Sequence, residues 1–427
     1  MGLTGRNRVR FNRRRLDIRK YLKVKNFLIL SIVILAVVFS VTTVSGMILA
    51  KKVAKSTVVY SKNDDTDVVI TDNNEVVETF NKTEELEETK DEDAQKEEKT
   101  PEKNIENDKK ENDTVISNDI SICLLGEIMM GGEISENLSY SYAGAFKNVY
   151  NITRNADFTY ANFSTNITSL DKIENPKSKY IVTKEILNAT KALGIDSVSI
   201  ASDHIIDFPS EIIKNTINMF ENEKIFVAGR ENMPVYFQKG EKKIAIVSTT
   251  AIINGTASLY NNEGISTYTK DNLIKNIKEA KSSADFVIAD IHWGKEYEYG
   301  VTDQMREITS VATSNGADLV IGTHALGVYP IVKYNNIPVI FSLGYFIGDS
   351  DLYLGKESYI FNIKISKESK LEELEMIPIY INNKKEVLLY NEFDEEKCKE
   401  VLEQYNKWNI ENGLDSKIED SCIKIKF

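Results

Sequence analysis

Short apolar runs alternate with stretches of helical periodicity from Ile120 to Leu343, and that alternation predicts an α/β domain with largely buried sheets. The runs Ile120–Leu125, Asp157–Phe163, Ile195–Ile200, Ile225–Ala228, Ile244–Thr249, Phe286–Ile291, Leu319–Ile321 and Val339–Leu343 read as strands. Lys184–Leu193, Glu211–Phe220, Asn272–Lys281 and Gln304–Thr313 read as helices between them. Further on, Tyr359–Ile365 and Met376–Ile381 read as paired strands and Glu395–Lys407 as a late helix.

Upstream the pattern is of another kind. Residues 26–50 carry no ionisable side chain, and Phe27–Phe39 is almost wholly aliphatic or aromatic. With its flanks this run is long enough to cross a hydrocarbon core of roughly 30 Å, so it reads as a transmembrane helix. Residues 1–25 bear a net charge of +9, which by the positive-inside rule places the N-terminus in the cytoplasm and everything after Lys51 outside. A signal peptide cleaved near Val44-Ser45-Gly46 is the competing reading. Residues 51–115 carry a net charge of −9 and few large apolar groups, a composition that cannot bury enough surface to offset ordering entropy. They read as a disordered acidic stalk with a reach of about 45 Å, a solvated helical stalk being the alternative. The expected partition is a basic cytoplasmic arm (1–25), a transmembrane helix (26–50), the stalk (51–115), an α/β domain (116–365) and a C-terminal extension of that domain (366–427).

Charge narrows the partners. The chain is −12 overall. The basic arm beside a membrane span is a topology determinant, so no nucleic-acid partner is expected. A net-negative ectodomain does not attract an anionic polymer by its overall field, and binding one requires a local basic groove. The three cysteines, Cys123, Cys398 and Cys422, have neither metal-finger spacing nor a disulfide framework. A Cys398–Cys422 bridge stays open.

The candidate chemistry lies at the ends of the apolar runs. All three histidines sit there, in Ala201-Ser202-Asp203-His204, His292-Trp293-Gly294 and Gly322-Thr323-His324. Loops after the carboxyl ends of strands collect functional groups in α/β domains, so these imidazoles are candidate metal ligands or proton carriers. Each also has a structural reading. Asp203 and His204 suit a cap for the helix near Ile212, His292 a hydrogen bond to a neighbouring loop, and Trp293 packing of a pocket wall. Met129-Met130 reads as core.

The order and wording of these loops over residues 119–365 resemble the CapA family, the capsule (poly-γ-glutamate) biosynthesis proteins within the calcineurin-like metallophosphoesterase superfamily. Gly126-Glu127-Ile128-Met129-Met130-Gly131 resembles the family's Gly-Asp-x-Met-x-Gly loop, and Ala161-Asn162-Phe163-Ser164 its Ala-Asn-Leu-Glu. Ala201-Ser202-Asp203-His204 resembles Ala-Asn-Asn-His, and His292-Trp293-Gly294-Lys295-Glu296-Tyr297 matches His-Trp-Gly-x-Glu-Tyr. The run to Gly322-Thr323-His324 resembles the approach to a Gly-His-His-Pro-His loop, and Ser342-Leu343-Gly344-Tyr345-Phe346 stands where the family has Ser-Leu-Gly-Asn-Phe.

The resemblance implies a four-layer α-β-β-α ectodomain and a pair of divalent ions, bridged by a carboxylate, that polarise a water. This chain departs from that pattern. Glu127 replaces the Asp, Ser164 the second-loop carboxylate, Asp203 an Asn, Ala325-Leu326 the Pro-His and Tyr345 an Asn. What survives implies one divalent ion of unknown identity, held by Asp203, His292 and His324 and completed by Glu127. By family position His204 is the general acid, with Asn162, Trp293 and Glu296 against the substrate. The implied process is capsule biosynthesis or export at the cell surface, with other membrane subunits and the anionic polymer as partners. Two readings compete with a metal-dependent hydrolase: a non-catalytic, metal-free scaffold for export, and a surface adhesin or sensor on the same fold.

Overall fold

The computed structural model describes residues 119–427, apart from 171–179, 232, 254–263, 297–299, 326 and 349–355, together with three strands between residues 59 and 81. The basic arm 1–25 and the transmembrane expectation for 26–50 lie outside the described residues. Among the described residues, no helix is long and apolar enough to cross a membrane.

Two mixed sheets face one another. The first runs, in spatial order, through Ile331–Tyr334, Ile337–Ile340, Leu319–Thr323, Phe286–His292, Lys242–Thr250 and Val235–Lys239 before reaching the strands of residues 59–81. The second runs through Asp415–Glu419, Cys422–Lys426, Leu371–Ile381, Glu357–Ile365, Ile120–Ile128, Phe158–Phe163, Ser197–Ser199 and Phe226–Ala228. The strands that matter for the site are parallel to their neighbours in each sheet.

Period-two alternation explains the layering, because successive side chains leave a strand on opposite faces. Ile120, Ile122 and Leu124 join Ile244, Ile246, Phe286 and Ile288 in one core between the sheets. The intervening Cys123 and Leu125 pack outward beneath the helices Ile186–Ala192 and Ser210–Asn222. On the far side, Ala245, Val247, Val287 and Ala289 pack against the helices Lys270–Ser283 and Asp303–Ser314. The sequence-predicted strands and helices are found with end shifts of a few residues. Met129 and Met130 belong to the outer core, as expected.

Strands Val59–Lys62, Asp67–Asp72 and Glu75–Asn81 lie within the segment expected to be a disordered stalk, the first pairing in parallel with Val235–Lys239. The β-branched clusters Val58-Val59, Val68-Val69-Ile70 and Val76-Val77, separated by Asn and Asp, are hairpin signals that composition averaged over the whole segment conceals. The remainder of 51–115 is outside the described residues. Residues 366–427 extend the domain. Their strands complete the second sheet, and Cys398, Val401 and Leu402 of the helix Glu395–Glu411 close the inter-sheet core. Cys123, Cys398 and Cys422 are buried free thiols.

Candidate metal centre

Alternation carries the Phe286–His292 strand to the site. Phe286 and Ile288 face the inter-sheet core, so Asp290 and His292, two and four residues beyond Ile288, face the same space at the strand's carboxyl end. Asp203 and His204 follow the strand Ser197–Ser199, and His324 follows Leu319–Thr323. All are buried. The separate loops thus converge at one rim, as parallel strands with a common direction require.

The ligand atoms of Asp203, His292 and His324 lie within 4.8 Å of one another. His292 Nε2 is 2.9 Å from Asp203 Oδ1, and His324 Nδ1 is 3.7 Å from the same oxygen. The other ring nitrogen of His292 is 3.0 Å from Thr323 Oγ1, the outer hydrogen bond that fixes the orientation of a ligating imidazole. His324 Nδ1 is buried without a hydrogen-bond partner. Buried nitrogens are as a rule hydrogen-bonded, and His204 Nδ1 beside the same carboxylate is unpartnered too; the His324 nitrogen is the one that belongs to the converging Asp203–His292–His324 group, where it fits a cation. One carboxylate and two imidazoles suit a first-row divalent ion with open positions. Asp203 does not cap a helix: Pro209 precedes the helix that begins at Ser210, and the Asp203 carboxylate is engaged with His292.

His324 adopts φ 82°, in the left-handed region. A side chain there costs about 1–2 kcal/mol, a strain that persists only where the surroundings impose it. His324→Gly is therefore expected to be about 1 kcal/mol more stable than His324→Ala, as measured by urea unfolding. Equal stability would show that the backbone is unstrained.

His204 sits beside the group. Its Nδ1 is 3.7 Å from Asp203 Oδ2 and 3.6 Å from Asp207 Oδ2, and its Nε2 is 3.7 Å from Glu296 Oε1. Tyr180 stacks on the ring with centroids 3.7 Å apart. Burial opposes its protonation, but Glu296, Asp203 and Glu127 outweigh burial and raise its pKa to about 9. Burial pushes Tyr180 up to about 12, helped by the same carboxylates. Burial also works against the charge on Asp203, yet the His292 contact leaves its carboxyl well below the ordinary range. His292 is raised because Asp203 overcomes burial, and His324 is lowered by burial and by the charge of His292.

The other predicted residues divide. Glu127 is buried but is not among the three converging ligands; its Oε2 lacks a hydrogen-bond partner, and its charge acts on all three histidines. Asn162 is buried opposite Glu127 in the strand register and accepts from Ser164 Oγ at 3.1 Å. Glu296 stands at the mouth beside His204. Trp293 corrects the expectation of a substrate contact. It is fully buried, with its indole N–H donating to the Phe341 carbonyl at 2.9 Å, because the residue after His292 leaves the strand on the opposite face and packs into the outer core.

Tyr180, Thr323 and Asp290 were not among the predicted residues. Asp290 accepts from Tyr160 at 2.6 Å and Ser248 at 2.8 Å, and Ser248 meets Ser199 at 2.6 Å. This ties the two sheets together beneath His292, and burial raises the Asp290 carboxyl. A carboxylate inside Val287-Ile288-Ala289-Asp290-Ile291 was a readable signal. Nothing local marks Tyr180.

Comparison with known proteins gives concordant results. The signature described as Bacterial capsule synthesis protein PGA_cap matches residues 121–350, just over half of the chain. The PGA biosynthesis protein CapA of Bacillus subtilis is 26% identical over 310 residues, covering 69% of this chain and 81% of that protein. The capsule biosynthesis protein CapA of Bacillus anthracis is 24% identical over 324 residues, covering 72% and 78%. Among solved structures, the Haemophilus influenzae NAD nucleotidase aligns with a TM-score of 0.38 at 10% identity, over 70% of this chain and 60% of that one. A 5'-nucleotidase precursor from Thermus thermophilus aligns at 0.39 and 10%, over 68% and 58%. These two likenesses are too distant to carry an argument.

Proposed function

This chain belongs to the bacterial capsule synthesis protein PGA_cap family, and from that premise we propose that it acts in the synthesis or export of a poly-γ-glutamate capsule, the process for which its Bacillus relatives are named. It does so as a membrane-anchored protein with its C-terminal domain outside the cell, working with other membrane subunits of that process. The uncharged run 26–50 behind a basic arm supports the anchoring.

The chemistry is hydrolysis, of a bond in the polymer or its attachment or of a phosphoester, at a mononuclear centre. The observation that carries it is the buried convergence of Asp203, His292 and His324 with an orphaned nitrogen on His324. When bound there, a divalent cation supplies Lewis acidity toward a substrate oxygen. His204 is placed to deliver a proton to the leaving group from Nε2. Glu296 faces that nitrogen and Tyr180 fixes the ring plane, while the Asp203 and Asp207 carboxylates, 3.7 and 3.6 Å from the opposite nitrogen and beyond hydrogen-bond reach, favour the charged ring. A second ion has little to hold it. Ser164 is engaged with Asn162, and Tyr345 is buried in the outer apolar core.

Elemental analysis of the full-length protein purified without chelator tests this reading. The expected result is one divalent ion per chain, with loss of extracellular polymer in cells carrying His292→Ala. A metal-free protein whose His292→Ala variant sustains normal polymer would replace the hydrolase with the non-catalytic scaffold.

A further inference from the structure

A cleft of about 780 Å³ opens between the edge strand Ile331–Tyr334 and the helix Glu395–Glu411. Buried Tyr329 and Phe341 contribute to its lining with half-buried Tyr334 and Trp408, and exposed Arg306 and Lys333 add the charge. Among the described residues the lining contains these two cations and no carboxylate, in a chain whose net charge is −12. Among the described residues neither cation is paired with an acid. Arg306 Nη2 donates to the Val301 carbonyl at 3.3 Å, and Lys333 Nζ lies 5.3 Å from the Phe427 ring centroid.

We propose that this cleft binds the γ-linked glutamate polymer, an inference that rests on the capsule reading above. Each γ-linked residue contributes two backbone methylenes and one free carboxylate. The methylenes suit the aromatic walls, and the carboxylates suit a guanidinium and an ammonium at the rim. At the metal centre the carboxylates Glu127, Asp203, Asp207 and Glu296 offset the positive charge of the histidines and of a bound cation, whereas the cleft presents its two cations unopposed. Cleft and centre are physically joined. Phe341 accepts the indole N–H of Trp293 at 2.9 Å, and Trp293 directly follows His292. A neutral glycan would also use the aromatic walls, but it would leave the two cations without a role.

The chain contains two tryptophans. Trp293 is fully buried, so an emission change on ligand addition reports Trp408 in the cleft. A short γ-linked glutamate oligomer is titrated into the full-length protein in mild detergent, with and without a chelator. The expected result is a saturable change, indifferent to chelator, reduced by salt, and about tenfold weaker in the double variant Arg306→Gln/Lys333→Gln. Trp408→Phe should lose the signal while retaining the binding heat. No saturable change in the wild type, or equal affinity in the double variant, overturns the proposal. So does a neutral chitin-type oligosaccharide binding as tightly as the oligomer. The capsule reading fails separately, if cells deleted for this chain still display normal polymer.

Discussion

Asp203→Ala is expected to strip the cation from the purified protein and abolish polymer production, whereas His204→Gln should keep the ion and lose only the chemistry. Asp203 Oδ1 is the atom common to both ligand imidazoles, at 2.9 Å from His292 and 3.7 Å from His324. Removing an outer-shell partner of a metal site costs about 10–100-fold in affinity. Losing the shared carboxylate should therefore exceed about 100-fold, read by metal titration against a competing chelator. His204 contacts the group through the other oxygen of Asp203, 3.7 Å away, so its replacement leaves the three ligands in place. A missing general acid slows turnover by about 100-fold or more. Undiminished metal affinity in Asp203→Ala would sink the centre. Metal loss in His204→Gln would make that histidine a ligand instead of a proton carrier.

Gly322→Ala should be the most disruptive single methyl group near the site. A Cβ at this position would lie 2.2 Å from the Phe341 carbonyl oxygen and 2.3 Å from Trp293 Nε1. Those two atoms form the hydrogen bond that seats Trp293. The added carbon therefore meets backbone on one side and an immobile buried indole on the other, and the strand must move. Overpacking of this kind costs about 3 kcal/mol, which thermal unfolding followed by circular dichroism would register as a drop of several degrees. Because Gly322 precedes Thr323 and His324, metal affinity should fall with stability. Wild-type stability in this variant would falsify the packing described here.

The strands and helices from Ile120 to Ile365 were legible because each buried strand is a short apolar run, and each helix carries its apolar stripe, in uninterrupted sequence. The short strands of residues 59–81 were hidden by the acidic composition around them. The C-terminal strands Asp415–Glu419 and Cys422–Lys426 were missed for a related reason: half-exposed alternating charges give a weak signal.

The site divides along the same line. By itself the sequence determined which residues stand at the carboxyl ends of strands, since that depends only on local apolar pattern; hence Asp203, His204, His292 and His324 were all identified. Only the tertiary structure decided that the ligand atoms of Asp203, His292 and His324 share one space, with Glu127 near enough to act on the histidines by its charge but outside that group. It also decided that Trp293 faces away from the site and that Tyr180 covers His204. Those outcomes depend on the order of strands within a sheet and on which loop folds over which end. They are distances between segments tens of residues apart, and no local pattern of side chains encodes them.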